Sequence, residues 1–127
     1  MPNKFHTLLS VEPESENSAY IRRQLMEYNL TYVVPDQHQL LSVYMRDEHE
    51  HLAGGLLGST YWGWLVIDIL WLREDLRGQG YGSRLLIEAE EEALRRGCKR
   101  ALVDTLDFQT PNFYLKHGYT LLGQFPT

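Results

Sequence analysis

The chain has 127 residues, 43% of them hydrophobic and 23% charged, with a formal net charge of −5. That length fits one domain, 1–127, and leaves little room for a second. The acidic balance argues against nucleic acid, whose phosphates need a basic surface, and mildly favours a cationic small molecule or peptide as partner.

Residues 4–11 read as a first strand. Residues 13–28 read as a helix, with Ile21, Leu25 and Tyr28 near helical spacing and Asn29 at its end. Residues 31–35 are predicted to be extended. Residues 40–45 look like a strand, followed by a polar hairpin turn from Arg46 through Asp47, Glu48, His49 and Glu50. Residues 52–61 and 64–72 are apolar and rich in strand-favouring side chains. After Gly82 the period changes to helical. Leu85, Leu86, Ala89, Ala93 and Leu94 form an apolar stripe, with Glu88, Glu91, Glu92 and Arg95 on the other faces. Gly97 is placed to end that helix, and Arg95 and Arg96 suit its negative end. Residues 100–105 read as a strand. Thr110 and Pro111 then read as a capping hydroxyl and a proline at the first helical position. That short helix stops near Gly118, and residues 119–125 read as a last strand. A run of strands followed by strand–helix–strand units predicts an α/β (α+β) domain. Its mixed, mostly antiparallel sheet has about six strands and helices on both faces.

The turn Arg77-Gly78-Gln79-Gly80-Tyr81-Gly82 joins the strand ending at Leu72 to a helix. A helix start carries unpaired N–H groups and partial positive charge, and glycines let an anion approach the backbone. A pyrophosphate suits such a site, with Arg77 adding a fixed charge. The same turn could serve packing alone. A dinucleotide fingerprint would need glycine where Ser83 stands, and a P-loop would need Gly-Lys-Ser/Thr, which is absent.

Leu70-Trp71-Leu72, four further residues, and then the Arg77–Gly82 run resemble the acetyl-CoA segment of the GNAT N-acetyltransferase superfamily. The pattern there is Arg or Gln, two residues, Gly, one residue, Gly or Ala. Phe113-Tyr114-Leu115-Lys116-His117-Gly118-Tyr119 resembles that family's second signature, a tyrosine followed four residues later by glycine and an aromatic. The likeness is specific from about Trp64 to Tyr119. It implies a splayed parallel pair formed by strands 64–72 and 100–105, with acetyl-CoA as cosubstrate in the cleft and no metal. It places the pyrophosphate on the backbone amides of Gly78, Gln79, Gly80, Tyr81, Gly82 and Ser83, and the pantetheine arm along Leu70, Trp71 and Leu72. A backbone N–H near Leu72 would stabilise the developing oxyanion. It also implies direct attack by a primary amine, with Tyr114 protonating the departing thiolate. A phenol pKa of about 10 lies near a thiol's of about 8.5, so the transfer needs little tuning.

Asp68 is the best candidate for the base that deprotonates the amine, because it interrupts an apolar strand. Strand alternation would put it on one face with Trp64, Val66, Leu70 and Leu72. A structural aspartate paired with an arginine or hydroxyl is the competing explanation. Asp104 and Asp107 could bind the acceptor's charge or cap loops. Asp107 also stands where many family members carry an asparagine that contacts CoA. Trp71 replaces a small residue common in the family. The family usually adds a strand beyond the one that ends this chain, so either an extra strand or a homodimer contact is expected to cover the sheet edge.

Glu48-His49-Glu50-His51 has metal-like composition but reads as a turn. His117 reads as packing, Cys98 as a buried small residue without a base to activate it, and Tyr61, Trp62 and Trp64 as core rather than an acceptor pocket. The N-terminus lacks signal-peptide features, the stretch 62–72 is too short and polar to span a bilayer, and a lone cysteine forms no internal disulfide. A cytoplasmic enzyme without a membrane partner is expected. The rival readings are a non-catalytic CoA-binding module on the same fold and a transferase for a longer acyl chain.

Overall fold

The computed structural model describes residues 4–11, 15–32, 37–104 and 111–123. The chain divides into two compact units, Met1–Pro35 and Asp36–Thr127. In the first unit, helix α1 spans Glu16–Leu30 and Ser15 caps it through a long 3.4 Å bond from Ser18 N to its hydroxyl. The helix buries no residue, and Ile21, Leu25 and Tyr28, the predicted apolar positions, are all exposed. Residues 4–11 carry no regular structure, so the predicted first strand is not formed. A strand exists only as part of a ladder, and the described sheet draws none of its four strands from this segment.

The second unit is built on four strands in the order β1-β2-β3-β4: Gln39–Arg46, Leu52–Tyr61, Trp64–Leu72 and Arg100–Val103. The first three pair antiparallel, and β3 pairs parallel with β4. The sheet is mixed as expected. Among the described residues, however, it has four strands rather than about six, because 119–123 is also without a strand. Helix α2, Tyr81–Arg95, is the crossover between the parallel strands, and helix α3, Pro111–Lys116, follows β4.

Trp62 and Gly63 form the two-residue β2–β3 turn with φ of 48° and 79°, the left-handed pair that matches strand twist. α2 buries Gly82, Leu85, Leu86, Ala89 and Ala93, while Leu94 is 67% exposed. At 100° per residue Leu94 turns off the face that Ala93 occupies, so it leaves the predicted stripe. Gly97, at φ 87°, ends the helix: its N–H reaches Leu94 O, and Cys98 N–H reaches Ala93 O. These are the two bonds of a Schellman cap. Arg96 fastens the same end to the sheet, donating to Leu40 O and Thr60 Oγ1 at 3.1 Å each.

The core lies on the α2 side. Leu41, Leu56, Leu65 and Ile67 from the sheet meet Leu85, Leu86, Ala89, Ala93, Cys98 and Tyr114. Burial pushes the Cys98 thiol up, as suits an inert packed cysteine. Tyr61, Trp62 and Trp64 do not join this cluster, contrary to the core reading. Trp64 instead lies under Arg100, whose Cζ is 5.6 Å from the ring centroid.

Candidate active site

The parallel β3–β4 ladder runs from Trp64↔Arg100 to Ile67↔Val103 and then stops, while β3 continues to Leu72. The divergence begins at an irregularity in β3. Leu57 pairs with Ile69 and Gly58 with Ile67, so Asp68 is the extra residue of a β-bulge. Gly58 permits it, because a Cβ there would collide with the Val66 carbonyl oxygen. The bulge reverses the alternation. Leu65 and Ile67 face the core before it, and Leu70 and Leu72 face the core after it. This corrects the facing expected for Asp68: Leu70 and Leu72 do not share the side of Trp64 and Val66. Asp68 is exposed, and Trp71 is 47% exposed on the face away from the core.

Beyond β3 the chain makes a short 3-10 turn, Glu74–Leu76, and enters the glycine run. Two ion pairs hold this approach. Arg73 Nε and Nη1 lie 2.7 Å from Asp75 Oδ1 and 3.0 Å from Asp47 Oδ2. Asp47 Oδ1 also accepts from the backbone N–H groups of His49 and His51, at 2.8 and 2.9 Å. The Glu48–His51 run is thus a hairpin turn organised by Asp47. Those backbone donors and Arg73 hold the Asp47 carboxyl below its usual range, and Arg73 does the same to Asp75. Nothing in the sequence marks the Asp47–Arg73 pair, whose members are 26 positions apart.

The turn has the geometry expected of an anion cradle. Gly78 and Gly80 have φ of 74° and 89°, and a Cβ at either would meet nothing within 4 Å, so the space over the turn is open. Gly80 is the N-cap of α2, and no side chain caps the helix. The first-turn N–H groups of Tyr81, Gly82 and Ser83 therefore lack a helical partner, and the helix dipole adds to their field. Arg77 is held beside them by its Nε, which donates to Leu72 O at 3.1 Å. Gln79 turns its amide back onto Asp75 O at 2.8 Å, which leaves its backbone to the turn. Unpaired N–H groups at a helix start can receive an anion.

α3 packs on this helix start. Gly82 admits Phe113, whose Cε1 lies 3.3 Å from where a Cβ would be. Tyr114 is buried at 8% exposure and belongs to the same core as Leu85 and Ile67. Burial pushes its phenol above the ordinary value, which keeps it protonated and able to donate. Tyr119 Oη donates to Glu90 Oε2 at 2.9 Å, and burial pushes that phenol up as well. Its ring lies 5.5 Å from that of Tyr114. His117, read from sequence as packing, forms a 2.8 Å hydrogen bond with Ser83 Oγ. Asp104 is exposed just past β4, and Asp107 and Thr110 lie outside the described residues.

A split parallel pair, a bulge beside it and an uncapped glycine-rich helix start thus meet at one end of the sheet. The chain matches the acetyltransferase (GNAT) family over residues 4–119 and belongs to it. It is 36% identical over 116 residues to Acetyltransferase Atu2258 of Agrobacterium fabrum, covering 91% of this chain and 85% of that one. It is 43% identical over 89 residues to the blasticidin-S acetyltransferase of Streptomyces morookaense, covering 69% and 65% of the two chains. The crystal structure of an acetyltransferase from Bacillus cereus superposes with a TM-score of 0.80 at 34% identity, covering 91% of this chain and 85% of that one. The chain is thus an acyltransferase enzyme of the GNAT superfamily.

Proposed function

We propose that this enzyme moves acetyl from acetyl-CoA to a primary amine of a small cationic molecule. The observation that carries the donor reading is the uncapped start of α2, with open space above Gly78 and Gly80 and Arg77 beside it. The family relationship supports the same donor. Bound acetyl-CoA would supply the activated thioester. The N–H groups of residues 78–83 would hold its pyrophosphate, and the end of β3 beyond its ladder with β4, at Leu70, Trp71 and Leu72, would take the pantetheine arm. Tyr114 is the proposed acid for the thiolate, since its buried phenol stays protonated through neutral pH. Asp68 is the proposed base. An exposed carboxylate at the mouth of the split can meet an ammonium group and accept its proton.

The similarity to a blasticidin-S acetyltransferase favours a small-molecule acceptor over a protein one. The net charge of −5 favours a cation. A panel of amines including blasticidin S, aminoglycosides, polyamines and lysine peptides, read by free thiol release, tests the proposal. Small cationic amines should turn over fastest. Activity confined to peptides, or none with any amine, would reject it. Tyr114→Phe should lower kcat by about 100-fold, within the range of a lost general acid, while calorimetric CoA affinity stays within a factor of two. Equal kcat in the two proteins removes Tyr114 from the mechanism.

A further inference from the structure

A helix of six residues is too short to hold its shape alone, so α3 depends on what it touches. Phe113 of α3 and His117, the residue just past its end, lie about one turn apart and meet consecutive residues of α2. Phe113 fills the space left by Gly82, and His117 bonds Ser83. The His117 and Phe113 rings lie 4.9 Å apart, and both Ser83 and His117 are half-buried. Ser83 is in the first turn of α2, so its hydroxyl lies beside the open N–H groups.

A serine hydroxyl has one hydrogen to donate and two lone pairs to accept with. If His117 Nε2 accepts, the Ser83 hydrogen is used on the imidazole. If Nε2 carries the hydrogen and donates, the Ser83 hydrogen is released toward the helix start. An anion there can only accept, so its presence selects the second arrangement. We propose that His117 is a positioning residue for the phosphate end of the donor: it donates to Ser83 Oγ and thereby turns the Ser83 O–H onto the bound pyrophosphate. This inference rests on the acetyl-CoA reading above.

The test compares two donors, acetyl-CoA and S-acetylpantetheine, which lacks the pyrophosphate. His117→Leu should raise KM for acetyl-CoA about tenfold, the size of one charge-assisted hydrogen bond, with kcat within a factor of two. Its kcat/KM for S-acetylpantetheine should match the parent's. His117→Gln, whose amide can donate from nearly the same place, should recover most of the acetyl-CoA affinity. Should His117→Leu fail to fold, Ser83→Ala must show the same donor-dependent split. Equal losses on both donors would make His117 a merely structural residue and overturn the proposal, as would an unchanged KM or no rescue by glutamine. A parent protein that binds CoA and acetylates an amine while these variants behave alike isolates the failure to His117. A parent that gives no calorimetric heat with CoA overturns the donor reading, and this inference with it.

Discussion

Helices α1 and α2 are both 15 residues long and begin in opposite ways. α1 starts with Ser15, whose hydroxyl accepts from Ser18 N, and carries Glu16 in its first turn. α2 starts with Gly80, without a side-chain cap and without an acid in its first turn. Burial runs the other way, since α1 buries no residue and α2 buries five. A helix that must stabilise its own end uses its own side chains. α2 is held by its packing, so its end can stay unsatisfied and positive. Unpaired donors on the best-packed helix are what a ligand-binding terminus requires, and an acidic residue there would compete with an anion.

This contrast can be broken from the α2 side with the largest effect. Gly80→Asp adds a negative charge at the proposed phosphate site and a side chain at a φ of 89° that few residues adopt. The KM for acetyl-CoA should rise more than about 100-fold, while circular dichroism still reports a folded chain. An unchanged KM would show that the donor binds elsewhere. Arg77→Ala removes only the flanking cation and should raise that KM about tenfold with little change in kcat. A loss seen entirely in kcat would instead assign Arg77 to the chemistry. On the α1 side, Ser15→Ala removes a cap and should cost about 0.5–1 kcal/mol in a denaturant melt, because the bond is long and exposed. Its KM for acetyl-CoA should not move.

The smallest effect concerns the approach to the α2 turn. The Asp47 carboxyl is depressed in the folded chain, chiefly by the His51 backbone N–H and by Arg73. A depressed carboxyl contributes stability that is present above its unfolded pKa of about 4 and lost as pH falls through the folded value. Melts taken from about pH 6 to about pH 2 should show a flatter acid limb for Asp47→Asn than for the parent. Parallel limbs would mean that the hydrogen bonds to the Asp47 carboxylate add nothing to folding.

Much of the sheet was legible because alternation and turn chemistry are local signals. The ranges 52–61 and 64–72 coincide with β2 and β3, and Trp62-Gly63 occupies the turn between them. The α2 stripe was legible except at Leu94, and Gly97 ends the helix as expected. The segments 4–11 and 119–125 read as strands, yet their described residues form none, because apolar content alone does not supply a pairing partner. Asp68 stood out as a charge in an apolar strand, but its facing was misread. The bulge depends on how the Gly58 backbone meets the Val66 carbonyl across the ladder.

By itself, the sequence determined the glycine turn and the family, because both rest on short runs whose residues act on their own neighbours. Glycines at 78 and 80 and the arginine at 77 shape one local piece of backbone. Only the tertiary structure decided which groups support that turn. Ser83 and His117 are 34 positions apart, and Asp47 and Arg73 are 26 apart. A hydrogen bond between side chains so distant in sequence leaves no periodic mark on the chain. It exists because packing around the Gly82–Phe113 contact and the β1–β2 hairpin brings those atoms within 3 Å of each other.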